Sequence, residues 1–334
     1  MAEPIRELHG LTPGDLSDEL LTSTEPLILR GLAGQWPLVQ AARTSQRAAS
    51  DYLRRFYNGA PVVAMLGTPD IKGRYFYNDD VSGFNFNKVR TGLPGVLDEL
   101  EAHRDDAQPP AIYVGSTEID LCLPGLGAEN DLGLASRQPY VSIWLGNQTR
   151  IAAHYDLPDN IAVVAAGRRR FTLFPPAQLS NLYVGPLDFT IAGQPVSMVD
   201  FHQPDLERYP RFSEALEHAV SAELEAGDAI FIPSMWWHHV EALAPFNVLI
   251  NYWWRQSPAF MDTPTNTLMH ALISLRGLPP AQRDAWHALF KHYIFDSDGS
   301  EAEHLPPAAR RVLAPLDDNM ARALRTQILN RINR

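Results

Sequence analysis

The chain has 334 residues, 45% of them hydrophobic and 20% charged, and a formal net charge of −11. This is the composition of a soluble globular protein long enough for one large domain or two modest ones, not of a disordered chain. The acidic balance argues against broad binding to nucleic acid or an anionic membrane, and the lone Cys122 excludes an internal disulfide framework and a thiolate-rich zinc site.

The opening Met1-Ala2-Glu3-Pro4-Ile5-Arg6-Glu7 lacks a basic flank and an apolar core, so no secretory signal is expected. No run of about 20 apolar residues offers a membrane span. The reducing cytoplasm is the simplest compartment.

The first stretch, 1–109, mixes helix and strand. Thr12 and Pro13 read as a helix start. Glu25–Gly31 is a short apolar strand ended by glycine, and Val62–Leu66 and Arg74–Tyr77 are further strands. Gly92–Arg104 carries a helical pattern. From 110 to 256 the texture is of short strands broken by Gly, Pro and Asp: Ala111–Val114, Val141–Leu145, Ile161–Ala165, Arg170–Phe174, Ala229–Ile232 and Asn247–Tyr252. Gly167 marks a tight hairpin, and Ala226-Gly227-Asp228 marks another turn. Many short strands with turn signals predict a mainly β fold with flanking helices, a double-sheet jelly roll of the kind that includes the cupins.

After residue 256 the pattern turns helical. Helices are expected over Thr265–Arg276 and Ala281–Phe295, with a polar loop over Asp296–Glu303. Met320, Leu324, Ile328 and Ile332 recur every four residues as an apolar stripe on a last helix. Such a stripe either pads the barrel or builds a homodimer. The expected organisation is an N-terminal α/β segment over 1–109, a β core over 110–256 and a C-terminal helical segment over 257–334.

Two short pieces carry the chemistry. One is His154-Tyr155-Asp156; the other is Trp236-Trp237-His238-His239, roughly 80 residues later. Alternation along a strand turns residues i and i+2 to one side, so His154 and Asp156 can share a cavity and a later histidine can close the set. Two imidazoles and one carboxylate occupy one face of a metal and leave the other open for a co-substrate and dioxygen, as in non-haem iron(II) oxygenases. On an extended strand His238 and His239 face opposite ways, and pattern alone leaves the choice between them open.

Arg169 shares a parity with Phe171 and Leu173, while Arg168, Arg170, Thr172 and Phe174 share the other. A guanidinium on an apolar inward face costs several kcal/mol unless paired. A dicarboxylate that chelates the metal through one end would pair it bidentately through the other. Asn160 and Asn251 interrupt apolar strands, either as bonded core amides or as pocket residues. Tyr113 stands between Ile112 and Val114, where core packing is the competing role.

Taken as a set, these residues resemble the JmjC-type, cupin-8 branch of the cupin superfamily, the iron(II)- and 2-oxoglutarate-dependent oxygenases, a group that includes the asparaginyl hydroxylase acting on hypoxia-inducible factor. The likeness runs through Ala153–Asp156, Asn160, Gly167–Pro176, Ser197–Phe201, Pro204–Pro210, Gly227–Pro233, Trp236–Glu241 and Asn251–Trp253, with Pro26–Leu32 and Trp36-Pro37 matching its opening strand. It covers most of residues 24–256. The resemblance implies a double-stranded β-helix with His154, Asp156 and His238 as iron ligands and catalytic centre. It implies Arg169, where a Lys is usual in the closest relative, as the holder of the distal carboxylate of 2-oxoglutarate. Tyr113, Asn160 and Asn251 would line the co-substrate pocket.

The family often has a threonine where this chain has Ile151, and Thr149 is the nearest hydroxyl, able to substitute if the strand bulges. The implied reaction couples decarboxylation of 2-oxoglutarate to succinate with hydroxylation of a substrate by dioxygen, and nearby Trp and Phe side chains are expected to exclude water. The analogy favours a protein or peptide side chain as substrate. Two rival readings are a cupin metalloenzyme that uses no 2-oxoglutarate and a non-catalytic binding module.

Overall fold

The computed structural model describes residues 4–332; Met1, Ala2 and Glu3 of the opening segment lie outside the described residues. The strands, in chain order, are β1 (Arg6–His9), β2 (Leu27–Arg30), β3 (Pro61–Gly67), β4 (Arg74–Tyr75), β5 (Asn87–Gly92), β6 (Ala111–Glu118) and β7 (Tyr140–Gly146). They continue as β8 (Arg150–His154), β9 (Asp159–Ala166), β10 (Arg168–Phe174), β11 (Val220–Glu225), β12 (Ala229–Ile232), β13 (Trp237–Ala242) and β14 (Asn247–Trp254). A nine-stranded sheet runs β1-β2-β12-β9-β14-β7-β6-β3-β5, and a five-stranded sheet runs β11-β10-β13-β8-β4. Neighbouring strands are antiparallel except for β1–β2 and β4–β8. This is the mainly β, double-sheet fold expected from the sequence.

The chain divides into two compact units, Met1–Gln256 and Ser257–Arg334. In the first, β1 to β5 extend both sheets, so the strands of the first 109 residues belong to the same layers as the β core. Strand β9 is buried at all eight positions, because both faces of the large sheet are covered there. One face packs on the helices Pro37–Thr44, Gln46–Phe56 and Leu93–Ala102 through Leu38, Leu53, Leu97, Ile161 and Val163. The other turns Ala162 and Val164 toward Phe171, Leu173 and Val240 of the small sheet. Burying that apolar surface is the main favourable term holding the two layers together.

Local chemistry sets the element ends. Thr12 and Asp15 form a reciprocal capping box. Ser45 caps the helix Gln46–Phe56 by accepting from the Ala48 N–H at 3.0 Å. At the hairpin between β9 and β10, Gly167 has φ +77°, and a Cβ there would lie 2.3 Å from Asn247 Oδ1. Only glycine fits a left-handed backbone at that approach. The same Asn247 oxygen accepts from the Arg168 N–H at 3.2 Å and anchors the turn. Asp228, in the turn before β12, accepts from the Gly31 N–H and the Arg30 guanidinium, both at 2.8 Å.

The second unit carries the helices Pro264–Ser274, Pro280–Phe290 and Asp318–Ile332. The expected single helix to Phe295 instead ends at Phe290 and continues as one π turn, Lys291–Phe295. Among the described residues of this unit only Ala302 and Ala321 are buried.

Candidate metal and co-substrate site

Strands β8 and β13 lie side by side in the small sheet with His154 directly opposite His238. Strand β8 ends at His154, so Asp156 sits just past it in the following turn, not on the strand as alternation suggested. That turn is held by the Met235 N–H, which donates to the Asp156 carbonyl at 2.9 Å. One ligand atom from each of His154, Asp156 and His238 lies within 4.8 Å of the others. His238 Nε2 is 3.6 Å from Asp156 Oδ2, and the two imidazole centroids are 4.3 Å apart.

Both rings are oriented in the same way. His154 Nδ1 meets the Ala152 carbonyl, and His238 Nδ1 meets the Trp236 carbonyl, each at 3.0 Å. A carbonyl only accepts, so each Nδ1 carries the proton and each Nε2 keeps its lone pair for a metal. Burial, and next the neighbouring His154, push the His238 pKa down to about 4. It is therefore a neutral donor at ordinary pH. Two nitrogen donors and one carboxylate oxygen on one side of a point fit a divalent iron with its remaining positions open.

The triad opens into a cavity of about 210 Å³. Its small-sheet wall carries Ile151, His154, Arg169, Phe171, His238 and Val240, and its large-sheet wall carries Tyr113, Trp144, Asn160, Ala162, Leu249, Asn251 and Trp253. Arg169 is only 1% exposed, and its Nε and Nη2 have no hydrogen-bond partner among the described residues. Burial pulls its pKa below the usual arginine value, against a smaller opposite pull from Tyr113. Even so, a guanidinium stays charged, and an unpaired one in an apolar wall is costly. These orphaned donors fit an anion with two coplanar oxygens. Tyr113 is buried, and burial raises its phenol pKa, so it remains a neutral hydroxyl. Asn251 donates to Asn160 Oδ1 at 2.8 Å, while its own Oδ1 has no partner among the described residues.

The structure thus brings His154, Asp156, His238, Arg169, Tyr113, Asn160 and Asn251 to one cavity. Thr149 is the exception and corrects the expectation for it: it is fully buried, does not line the cavity, and its hydroxyl has no partner among the described residues. The strand does bulge, because three steps of β8, from Ile151 to His154, oppose two of β13. That extra residue turns Ile151 into the wall instead. His239 faces the other way from His238 and stacks on Phe201 with centroids 4.5 Å apart.

Several lining residues were not singled out in the sequence. The segment carrying Ile191, Ala192 and Gln194 reaches the cavity from a long irregular stretch after β10. It is held where the Lys88 ammonium donates to the Ile191 carbonyl at 3.2 Å and the Tyr77 hydroxyl donates to the Phe189 carbonyl. No periodicity marks such a loop. Trp144 and Trp253 stand in recognisable strands, and only the pairing of those strands brings them together, edge to face at 5.8 Å.

Comparison with known proteins agrees with this geometry. The family model described as a cupin-like domain matches residues 13–260. The chain is 33% identical over 319 residues to the mouse (Mus musculus) tRNA wybutosine-synthesizing protein 5, covering 84% of this chain and 92% of that one. It is 32% identical over 288 residues to lysine-specific demethylase JMJ31 of Arabidopsis thaliana, covering 76% of this chain and 51% of the demethylase, about half its length. It is 24% identical over 251 residues to lysine-specific demethylase 8 of Xenopus tropicalis, covering 75% of this chain and 52% of that protein. The chain belongs to the cupin-like, JmjC-type family of iron(II)- and 2-oxoglutarate-dependent oxygenases.

Proposed function

We propose that this protein is a 2-oxoglutarate-dependent hydroxylase whose target is a side chain of a protein or peptide. The observation that carries the reading is Arg169, a buried cation with unpaired donors in the same cavity as His154, Asp156 and His238. In it, His154, Asp156 and His238 hold iron(II), Arg169 takes the distal carboxylate of 2-oxoglutarate, and Tyr113, Asn160 and Asn251 flank the co-substrate. Bound iron supplies oxidative chemistry with dioxygen, coupled to loss of carbon dioxide from the co-substrate. The chain's own part is to present three ligands on one side, fix the dicarboxylate at two ends and keep water out with Phe171, Val240, Leu249 and Trp253. The net charge of −11 disfavours a polyanionic partner.

The rival without 2-oxoglutarate leaves Arg169 unexplained, and the non-catalytic rival leaves the three ligands unexplained. Anaerobic titration of the iron-loaded protein with 2-oxoglutarate is expected to give the weak visible charge-transfer band of the chelate. In air, slow succinate formation is expected without prime substrate and none from Asp156→Ala. Absence of the band overturns the reading, and normal turnover in Asp156→Ala removes that ligand. A peptide or proteome screen for the gain of one oxygen finds the target.

We further propose that Ser257–Arg334 pairs with a second copy of the chain. Trp286, Ile294 and Phe295 are exposed among its described residues, and two buried alanines make no core. Sedimentation at micromolar concentration is expected to give a dimer, and a monomer overturns this.

A further inference from the structure

Two further residues that line the cavity carry unpaired donors. The indole nitrogens of Trp144 and Trp253 are both buried and without a hydrogen-bond partner among the described residues. A buried indole N–H almost always finds an acceptor, because leaving it unmade costs about 1–3 kcal/mol. The two rings touch edge to face at 5.8 Å, and their other neighbours tell them apart. Trp144 pairs with Leu249, which pairs with Val164, three residues before the Gly167 hairpin that leads into Arg169. Trp253 stands opposite Asn160, four residues beyond Leu249 along β14.

A second contact puts Trp144 at the Arg169 end. Its ring stacks on Tyr113, with centroids 5.9 Å apart and planes 26° from parallel. Tyr113 is in turn the ionisable neighbour that Arg169 senses. Strand β8 supplies no hydroxyl there, because its bulge turns Ile151 into the wall and leaves Thr149 outside it.

We propose that the Trp144 indole N–H donates to the distal carboxylate of 2-oxoglutarate beside Arg169, making Trp144 a co-substrate-binding residue. This rests on the co-substrate assigned above. Arg169 neutralises the carboxylate, and the indole fixes its plane. Trp144 thereby selects a dicarboxylate over a monocarboxylate of the same length.

The test compares 2-oxoglutarate with 2-oxopentanoate, which keeps the 2-oxo acid and lacks the distal carboxylate. Both are titrated calorimetrically into iron-loaded protein without oxygen, as wild type and as Trp144→Phe. The variant is expected to bind 2-oxoglutarate roughly tenfold more weakly, the loss of one hydrogen bond to a charged group, and 2-oxopentanoate unchanged. Equal weakening of both ligands makes Trp144 a packing residue and overturns the proposal, as does an unchanged 2-oxoglutarate affinity. Wild type that binds no 2-oxoglutarate overturns the co-substrate assignment and this proposal with it. A readout that needs no folded variant is the ¹⁵N-indole spectrum of the zinc-loaded wild type. The Trp144 signal is expected to move downfield with 2-oxoglutarate and to stay with 2-oxopentanoate; a signal that ignores both overturns the assignment.

Discussion

Arg169 is a costly residue in the free protein. Its charge is desolvated on a wall of Phe171, Val240 and Leu249, with two of its nitrogens unpaired among the described residues. Replacing an unpaired buried charge by an apolar side chain of similar volume is commonly stabilising by about 1–4 kcal/mol. Arg169→Met is therefore expected to raise the urea midpoint of the metal-free protein and, in the same variant, to abolish the stabilisation that 2-oxoglutarate gives. Iron affinity is expected to stay near wild type, since the three ligands are untouched. A lowered midpoint would show that Arg169 is paired in the free protein, and an equal loss of iron and 2-oxoglutarate would remove its assigned role. Parity alone separated Arg169 from Arg168 and Arg170, and the separation is physical: Arg170 reaches Glu223 at 2.6 Å near the surface, while Arg169 is buried.

Among elements, the hairpin between β9 and β10 decides whether Arg169 arrives at all. Gly167→Ala adds a Cβ into Asn247 on a backbone with φ +77°. Strain and overlap together are expected to cost about 2 kcal/mol or more, read as a lower denaturant midpoint with an unchanged slope. Because Arg169 is two residues beyond the turn, weaker 2-oxoglutarate binding is expected to accompany it; wild-type stability would show that the turn relaxes freely. Most strands that carry the site were readable from the sequence, since β9, β12 and β14 are short apolar runs bounded by turn residues. Elements not named there include β1, β5, Pro37–Thr44, Gln46–Phe56, Phe212–Glu217 and β11. In β11 the pattern is weak because Val220, Ser221, Ala222 and Glu223 lie at an edge with little burial. The β8 bulge was also beyond reach, because it exists only relative to the register of β13.

At the scale of the whole molecule, ligands that bind only the folded state stabilise it by mass action, about 2.7 kcal/mol at a hundredfold excess over Kd. Manganese(II), a divalent stand-in, is expected to raise the thermal midpoint by several degrees. 2-Oxoglutarate should add a further rise only when the metal is present, since it chelates through it. Asp156→Ala is expected to lose both increments. A rise with 2-oxoglutarate alone would place its binding away from the triad. Among the described residues no helix is long and apolar enough to cross a membrane.

Side-chain type and short-range order were enough to nominate the donor set and to give the β class: His154 and Asp156 two apart, one of two histidines after the Trp pair, and an arginine of inward parity. These depend on chemistry and on a strand's period of two, which are local properties. Folding decided what is relational. It chose Ile151 over Thr149 for the wall, put His238 rather than His239 opposite His154, and joined Trp144 to Tyr113 across β6 and β7. Each of those outcomes depends on which strands pair and in what register, and register is fixed by burying both sheets at once rather than by any one segment.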